Sequence, residues 1–443
     1  MIAFDVPLWL VLPYLFVMGA SIGSFLSVCV YRLPRAGGGL IDGVRAISHP
    51  PSTCPKCNTR IKLRDNVPIL GWLLLGGRCR NCRSKISIRY PLFEMANGLL
   101  WVLLYLVEVP LPRFSELSDS LLVTRYGPTE SETWMHPDVL IHLRYAFHLL
   151  LAELLLVASI VDADTKTIPK ILTDPWIVVG IVVSTLGGLY LLPLTYRPDG
   201  ILQDASLFWS LFSQSPMPSW LVACFDGPAT PAWIFGTPNS LVHGLAVSVA
   251  GAAAGALPIL FLRVAGRRIY GREAMGAGDV YLMAMVGAFL GWQPTLTAIV
   301  LAAFIACGFF AIMAVVGMQA EIPFGPFLSA GTAVVLFGWP WVFPKIEAFF
   351  AFGPLVLPLL VVLAVAFVVL AVLLRLILHP LLCLIPGYRD QWYGAESSWT
   401  AADQNQFFAG SRIDEDRSLA ERPDWNGAAA SSGFSGEHAW RDE

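Results

Sequence analysis

Ala158-Ser159-Ile160-Val161-Asp162-Ala163-Asp164-Thr165-Lys166-Thr167-Ile168-Pro169 closes a long apolar run on an acid and then breaks it with a proline. Proline removes a backbone donor and clashes with the preceding turn, so the helix predicted by the run stops here. An acid at a helix C-terminus opposes the macrodipole, and capping therefore explains Asp162 poorly. A carboxylate next to hydrocarbon is costly and points to function. Its counterpart is Gly276-Ala277-Gly278-Asp279, where glycines allow unusual backbone angles and a following apolar run puts Asp279 in the first turn of another helix. Taken alone, Asp279 also reads as an ordinary N-cap acid. Asp162 also reads as a solvated interfacial acid, with Asp164 its nearest competitor for any role.

The composition around these acids makes the helices membrane helices. Of 443 residues, 56% are hydrophobic and only 14% charged, far from the balance of a soluble domain. Apolar stretches long enough to span lie at about 8–30, 91–107, 142–161, 171–193, 240–262, 296–317, 327–345 and 353–378, with a shorter one at about 280–292. The expected fold is an all-α polytopic membrane protein with eight or nine transmembrane helices. The first run lacks a basic leader and is followed by Arg32 and Arg35, so it reads as a retained helix with its N-terminus outside.

Loop charge sets the orientation. Between Arg32 and Arg89 stand 12 Lys or Arg against Asp42 and Asp65, whereas Glu108 to Arg144 holds three Arg against six acids. The first loop is therefore cytoplasmic and the second extracytoplasmic. Counting onward, the turn of Asp162, Asp164, Lys166 and Lys170 is cytoplasmic, as is the basic loop of Arg263, Arg267, Arg268 and Arg272. Both acids fall on one membrane face by an argument independent of their motifs.

Cys54-Pro55-Lys56-Cys57 and Cys79-Arg80-Asn81-Cys82, separated by 21 residues, lie inside the first basic loop. Two such knuckles can give a closed tetrahedral thiolate set, and Cys54, Cys57, Cys79 and Cys82 are the expected metal ligands of a small zinc-ribbon-like cytoplasmic subdomain. A redox dithiol pair is the competing reading. Cys29, Cys224, Cys307 and Cys383 read as small buried hydrophobes. The surrounding Lys and Arg could bind anionic lipid, although such charges more often enforce topology.

Two carboxylates that share one proton can hydrolyse a peptide, the ionised one activating water and the protonated one polarising the scissile carbonyl. Asp162 and Asp279 at opposite helix ends offer those two environments. Gly276 and Gly278 would let a substrate backbone approach, with Asp164 beside them. HExxH, Walker A and Gly-x-Ser-x-Gly motifs are absent, which disfavours those enzyme classes. Two readings from other classes stay open: a membrane transporter with the acids as ion ligands, and a non-enzymatic zinc-ribbon assembly factor. A transport site belongs near the bilayer midplane, whereas both acids map to helix ends.

The chain resembles the type IV prepilin peptidases, bifunctional leader peptidases and N-methyltransferases of type IV pilus and type II secretion systems, over about residues 16–340. The resemblance rests on Gly23-Ser24-Phe25-Leu26 with Tyr31-Arg32-Leu33-Pro34, both cysteine pairs, Asn66-Val67-Pro68 and Gly76-Gly77-Arg78-Cys79. It continues in Arg89-Tyr90-Pro91-Leu92 with Glu94, Asp162-Ala163-Asp164 with Ile168-Pro169, Gly276 to Asp279, and Ile322-Pro323-Phe324-Gly325-Pro326. It implies cleavage of a short basic leader after its glycine on the cytoplasmic side of the bacterial inner membrane, with Asp162 and Asp279 as the dyad. It also implies methylation of the exposed amine with S-adenosylmethionine, and prepilin or pseudopilin substrates beside membrane lipid, with no nucleic acid partner. Tyr281 stands where the family commonly has Lys, and Ser27 where Asn is frequent.

The expected division is a first membrane helix at 1–33, the tetracysteine subdomain at 34–90, and a membrane helix with an extracytoplasmic insert at 91–141. A peptidase domain at 142–345 carries a second insert at 195–236, and a further helix at 346–386 precedes a disordered cytoplasmic tail at 387–443. That tail holds 11 acids against five Arg.

Overall fold

The computed structural model describes residues 7–36, 40–48, 52–54, 56–109, 137–187, 238–270, 275–316 and 323–350, with a few scattered positions besides. Its helices are α1 (Leu8–Arg32), α2 (Leu40–Ser48), α3 (Leu70–Leu74), α4 (Arg89–Glu108), α5 (Pro137–Thr165), α6 (Asp174–Gly187), α7 (Pro238–Tyr270), α8 (Ala277–Leu290), α9 (Trp292–Val316) and α10 (Gly325–Phe350). Among the described residues β-structure is limited to two isolated bridges, Thr53–Arg60 and Arg78–Lys85.

Among the described residues, five segments are long and apolar enough to cross a membrane: Leu8–Arg35, Arg89–Glu108, His142–Thr165, Leu241–Ile269 and Trp292–Met313. Ala277–Leu290 and Gly325–Trp339 are shorter apolar helices. The run expected at 171–193 is described only to Gly187; of the span expected at 353–378 eight positions are described, all helical, and the rest lie outside the described residues, as do most of both inserts, the tail, Cys224 and Cys383. The all-helical class is what the sequence predicts, with five long spans described rather than eight or nine.

The core is built around α8. Leu282, Met283, Met285, Val286, Phe289 and Leu290 are fully buried against α5, α6, α7, α9 and α10. Helices α7 and α8 touch backbone to backbone, because Cβ atoms at Gly251 and Gly287 would each collide with the other's carbonyl, and one at Gly255 with the carbonyl of Met283. Gly251 and Gly255 are four apart, the small-residue spacing that lets membrane helices pack closely. Gly255→Leu is expected to force α7 and α8 apart and destabilise the fold by about 1–3 kcal/mol or more, read as a lower melting temperature in detergent.

A polar seam joins α1, α4 and α5. Asn97 donates to the Gly19 carbonyl at 2.8 Å, and Glu153 accepts from Trp101 Nε1 at 2.7 Å and from Asn97 at 3.3 Å. At the far end of α4, Glu108 lies 2.7 Å from His148 Nδ1 and 3.8 Å from Arg144 Nε. This corrects the loop-charge count, in which Glu108 and Arg144 bound a solvated loop. Both belong to helices and are drawn inside, where a charge needs a partner. The remaining acids of that loop still outnumber its Arg.

Helix α2 was not legible as a separate element. It packs under α1, where Arg32 Nη1 donates to the Ala46 and Ile47 carbonyls at 3.2 and 3.3 Å and satisfies its C-terminal end. Gly43 lies against Ile171, so α2 braces the turn that follows Asp162.

Candidate active site and metal centre

Asp162 ends α5 and Asp279 begins α8. Lys166 adopts a φ of 54° and donates to the Asp162 carbonyl at 2.7 Å, which closes the helix after the acid. The chain then turns through Ile168 and Pro169, and Ile168 packs so tightly on Gly278 that a Cβ there would stand 2.9 Å from it. That contact draws the two acidic turns together. Farther along, the same two helices are joined by Phe147 stacked on Phe289 with centroids 4.3 Å apart. They run antiparallel, so the C-terminal end of one meets the N-terminal end of the other.

Both carboxylates are nearly closed off, at 4% and 5% exposure for Asp162 and Asp279, and lie near enough for the charge of Asp279 to act on Asp162. Each accepts one backbone N–H. Gly276 donates to Asp279 Oδ2 at 3.3 Å, reaching back as in a capping box, and Gly325 donates to Asp162 Oδ2 at 3.2 Å. The second bond changes the electrostatic picture, because Gly325 opens α10. Asp162 therefore faces the positive end of one helix while ending another, and the opposite helix-end fields expected from sequence are evened out. Arg263 of α7 is the cation whose charge reaches Asp279.

Among the other expected site residues, Gly276 is exposed, and a Cβ placed on it would meet nothing nearer than Asp279 Oδ2 at 3.7 Å, whereas the space beside Gly278 is filled by Ile168. Asp164 is half-buried. Tyr281 is 39% exposed, and Lys170 Nζ lies 6.0 Å from its ring centroid, so a cation stands beside this position from the neighbouring turn. Gly325 was visible in sequence only as part of a motif. Its role as donor to Asp162 depends on a fold that spans 163 residues.

The four cysteines converge within the connection between α2 and α4. Their Sγ atoms all lie within 4.8 Å of one another, and Cys54 and Cys82 are 3.8 Å apart. Tetrahedral thiolates about 2.3 Å from a zinc-sized ion stand about 3.8 Å from each other, so the donor set fits such an ion. The two halves are built alike. Asn58 and Arg83, each just after a second cysteine, have φ of 52° and 60° and donate to the carbonyls of Cys54 and Cys79 at 2.8 and 3.0 Å. A hydrogen bond with the Thr59 hydroxyl, 3.4 Å away, leads the contacts that pull the Cys57 thiol down to about 6, and Ser84 at 3.1 Å lowers Cys82. Metal ligation requires thiolates, which these contacts favour at Cys57 and Cys82, whereas the thiol of Cys79 is shifted upward, with partial burial among the causes. Arg80 grips Asp65 through two hydrogen bonds of 2.8 and 2.6 Å, tying the second knuckle to the segment ahead of α3.

Residues 149–312 match the type IV leader peptidase family, and residues 17–107 match the bacterial peptidase A24 N-terminal domain. A prepilin leader peptidase/N-methyltransferase of Klebsiella pneumoniae is 30% identical over 283 residues, covering 63% of this chain and 85% of that protein. This chain belongs to the type IV leader peptidase family. Proteins of the same name from Dickeya chrysanthemi and Aeromonas salmonicida are 28% and 27% identical, covering 73% and 74% of this chain and 93% and 92% of theirs. No solved structure matches the chain. The two family matches fall on the two constellations separately: the N-terminal one spans the cysteines and Glu94, the other both aspartates.

Proposed function

We propose that this protein is an aspartic endopeptidase of the bacterial inner membrane that removes the leader of type IV prepilins or pseudopilins on the cytoplasmic side, after its glycine, and then methylates the new N-terminal amine. The observation that carries the peptidase half is the meeting of two buried carboxylates from different helices, each holding a single backbone N–H. One carboxylate, ionised, takes a proton from the water that attacks the scissile carbonyl. The other, protonated, donates to the carbonyl oxygen, and the proton gained passes to the departing amine. Because the proton is shared, the two roles belong to the pair rather than to either residue.

Cytoplasmic sidedness is supported by the basic loop from Arg32 to Arg89. Cys54, Cys57, Cys79 and Cys82 would hold structural zinc in a closed site with no open position for catalysis. For methylation, S-adenosylmethionine supplies an electrophilic methyl group, which the unprotonated amine takes with release of S-adenosylhomocysteine and a proton. Among the described residues no strand-and-helix nucleotide fold exists to cradle that donor, and no residue is assigned to it. What supports the methyl-transfer half is the tetracysteine unit together with the N-methyltransferase names of the curated relatives.

Mass spectrometry of a co-expressed substrate with a basic leader ending in Gly before Phe tests the whole reading. Leader loss plus one methyl group is expected; an intact leader would overturn it. Gly325→Ala separates the dyad geometry from the fold. Its Cβ would collide with the Asp162 carboxylate, and cleavage is expected to slow by about tenfold to 100-fold, read as the initial rate of leader loss.

A further inference from the structure

Glu94 is a buried acid that the peptidase mechanism does not use. It is 8% exposed, and its Oε2 accepts the Ile69 N–H at 2.6 Å, with Ser24 of α1 close by the same carboxylate. Gly23, next to Ser24, lets α1 close on α4, since a Cβ there would stand 3.1 Å from the Glu94 Cα. The residue that Glu94 grips has an unusual backbone. Ile69 has φ 61° and ψ −54°, and the Leu70 N–H donates back to the Pro68 carbonyl at 2.5 Å. That is a three-residue γ-turn of the rare, strained positive-φ kind, held by a β-branched residue for which such angles are a true outlier. Strain of this sort, of order 1–3 kcal/mol, persists only where the surroundings impose it.

From the turn the connections run straight to the cysteines. Helix α3 starts at Leu70, and Trp72 Nε1 donates to the Ile86 carbonyl at 3.0 Å while its ring covers Gly77. Ile86 N–H donates to the Gly77 carbonyl at 2.7 Å, two residues before Cys79, and Arg80 is gripped by Asp65. Phe93, adjacent to Glu94, shares an apolar cluster with Val157, Val161 and Leu172, so this node is packed against the helix end that carries Asp162. Three motifs that the peptidase chemistry leaves without work, Gly23-Ser24, Asn66-Val67-Pro68 and Glu94, meet at this one point.

We infer that Glu94 is a positioning residue for methyl transfer: by clamping the Ile69 γ-turn to α1 and α4 it holds the tetracysteine unit against the membrane helices, beside the site where the new amine is released. The inference rests on the methyl-transfer half of the proposed function. It requires an acceptor at position 94 rather than a charge, and a strained turn that needs holding.

The test uses the full-length protein in lipid nanodiscs with a prepilin-like substrate, reading leader loss and methyl addition separately, together with bound metal and amide exchange at Ile69. Glu94→Ala is expected to lower methylation by about tenfold to 100-fold relative to cleavage, to expose the Ile69 amide, and to leave metal content unchanged. Glu94→Gln keeps an acceptor oxygen and is expected to stay close to wild type. Ile69→Gly adopts the turn without strain, so in the Glu94→Ala background it is expected to restore part of the lost methylation. Equal loss of cleavage and methylation in Glu94→Ala, or a Glu94→Gln variant as impaired as Glu94→Ala, would overturn the proposal. A wild-type chain that cleaves without adding a methyl group would refute the methyl-transfer reading itself. Continued protection of the Ile69 amide in Glu94→Ala would instead refute the clamp alone.

Discussion

Asp162→Asn and Asp279→Asn are each expected to slow leader cleavage by about 100-fold to 10,000-fold, the range spanned by loss of a general acid or base. Asparagine has nearly the same shape as aspartate and keeps an oxygen to accept the N–H of Gly325 or Gly276, at 3.2 and 3.3 Å in the native site. It can neither ionise nor share a proton. The substitutions therefore remove the chemistry while sparing the packing, and each variant should keep the helical content and melting behaviour of the wild type. On the proposed dyad mechanism, in which the two carboxylates work as one unit, the double variant is expected to be little worse than either single one. The measurement is mass spectrometry of the substrate after timed incubation with each purified variant. Cleavage that survives both single substitutions would sink the dyad, and strictly multiplicative losses would argue that the acids work independently.

The second large effect concerns the metal. The purified protein is expected to contain one zinc ion per chain by elemental analysis, and Cys54→Ser or Cys79→Ser to abolish its retention. A structural zinc site contributes about 10–16 kcal/mol in small zinc-finger peptides, more than a small loop unit holds by other means. Among the described residues, the segment from Ser52 to Ile86 is ordered by the knuckle hydrogen bonds, the Arg80–Asp65 pair, the Trp72 contact and the Ile69–Glu94 bond, of which only the first belong to the cysteine knuckles themselves. Losing the ion should therefore unfold the two knuckles, visible as fast amide exchange from Thr53 to Ile61 and from Cys79 to Lys85, and take methylation with it. Cleavage should suffer much less, because Asp162, Asp279 and Gly325 sit on α5, α8 and α10 and owe their positions to a separate core. Full methylation by a metal-free chain would dismiss the structural role of the cysteines.

Much of this was legible because it is local. An apolar run reports a membrane helix wherever it sits, so the helices carrying both acids could be located from their own residues. Paired cysteines three apart report a knuckle because the reach of a short turn leaves few other geometries. The run from 171 to 193 was read from the same signal, yet it is described as a helix only to Gly187. The polar seam was missed for the opposite reason. Glu108, Arg144, His148 and Glu153 look like loop charges or stray polar residues until α4 and α5 are side by side, when each finds its partner. The close approach of α7 and α8 had a signal in the four-residue spacing of Gly251 and Gly255, although spacing alone does not say which helix lies opposite.

The sequence by itself determined the helical membrane class, the four cysteines that converge into a cluster able to hold a metal, and the two helix ends that carry Asp162 and Asp279. Each follows from short-range periodicity, spacing or the energetic cost of a buried charge. Only the tertiary structure decided that Gly325 donates to Asp162, that Ile168 fills the space beside Gly278, and that Glu94 holds a strained turn 25 residues earlier in the chain. Those contacts join segments far apart along the chain. They depend on how helices pack against one another, which no local pattern encodes.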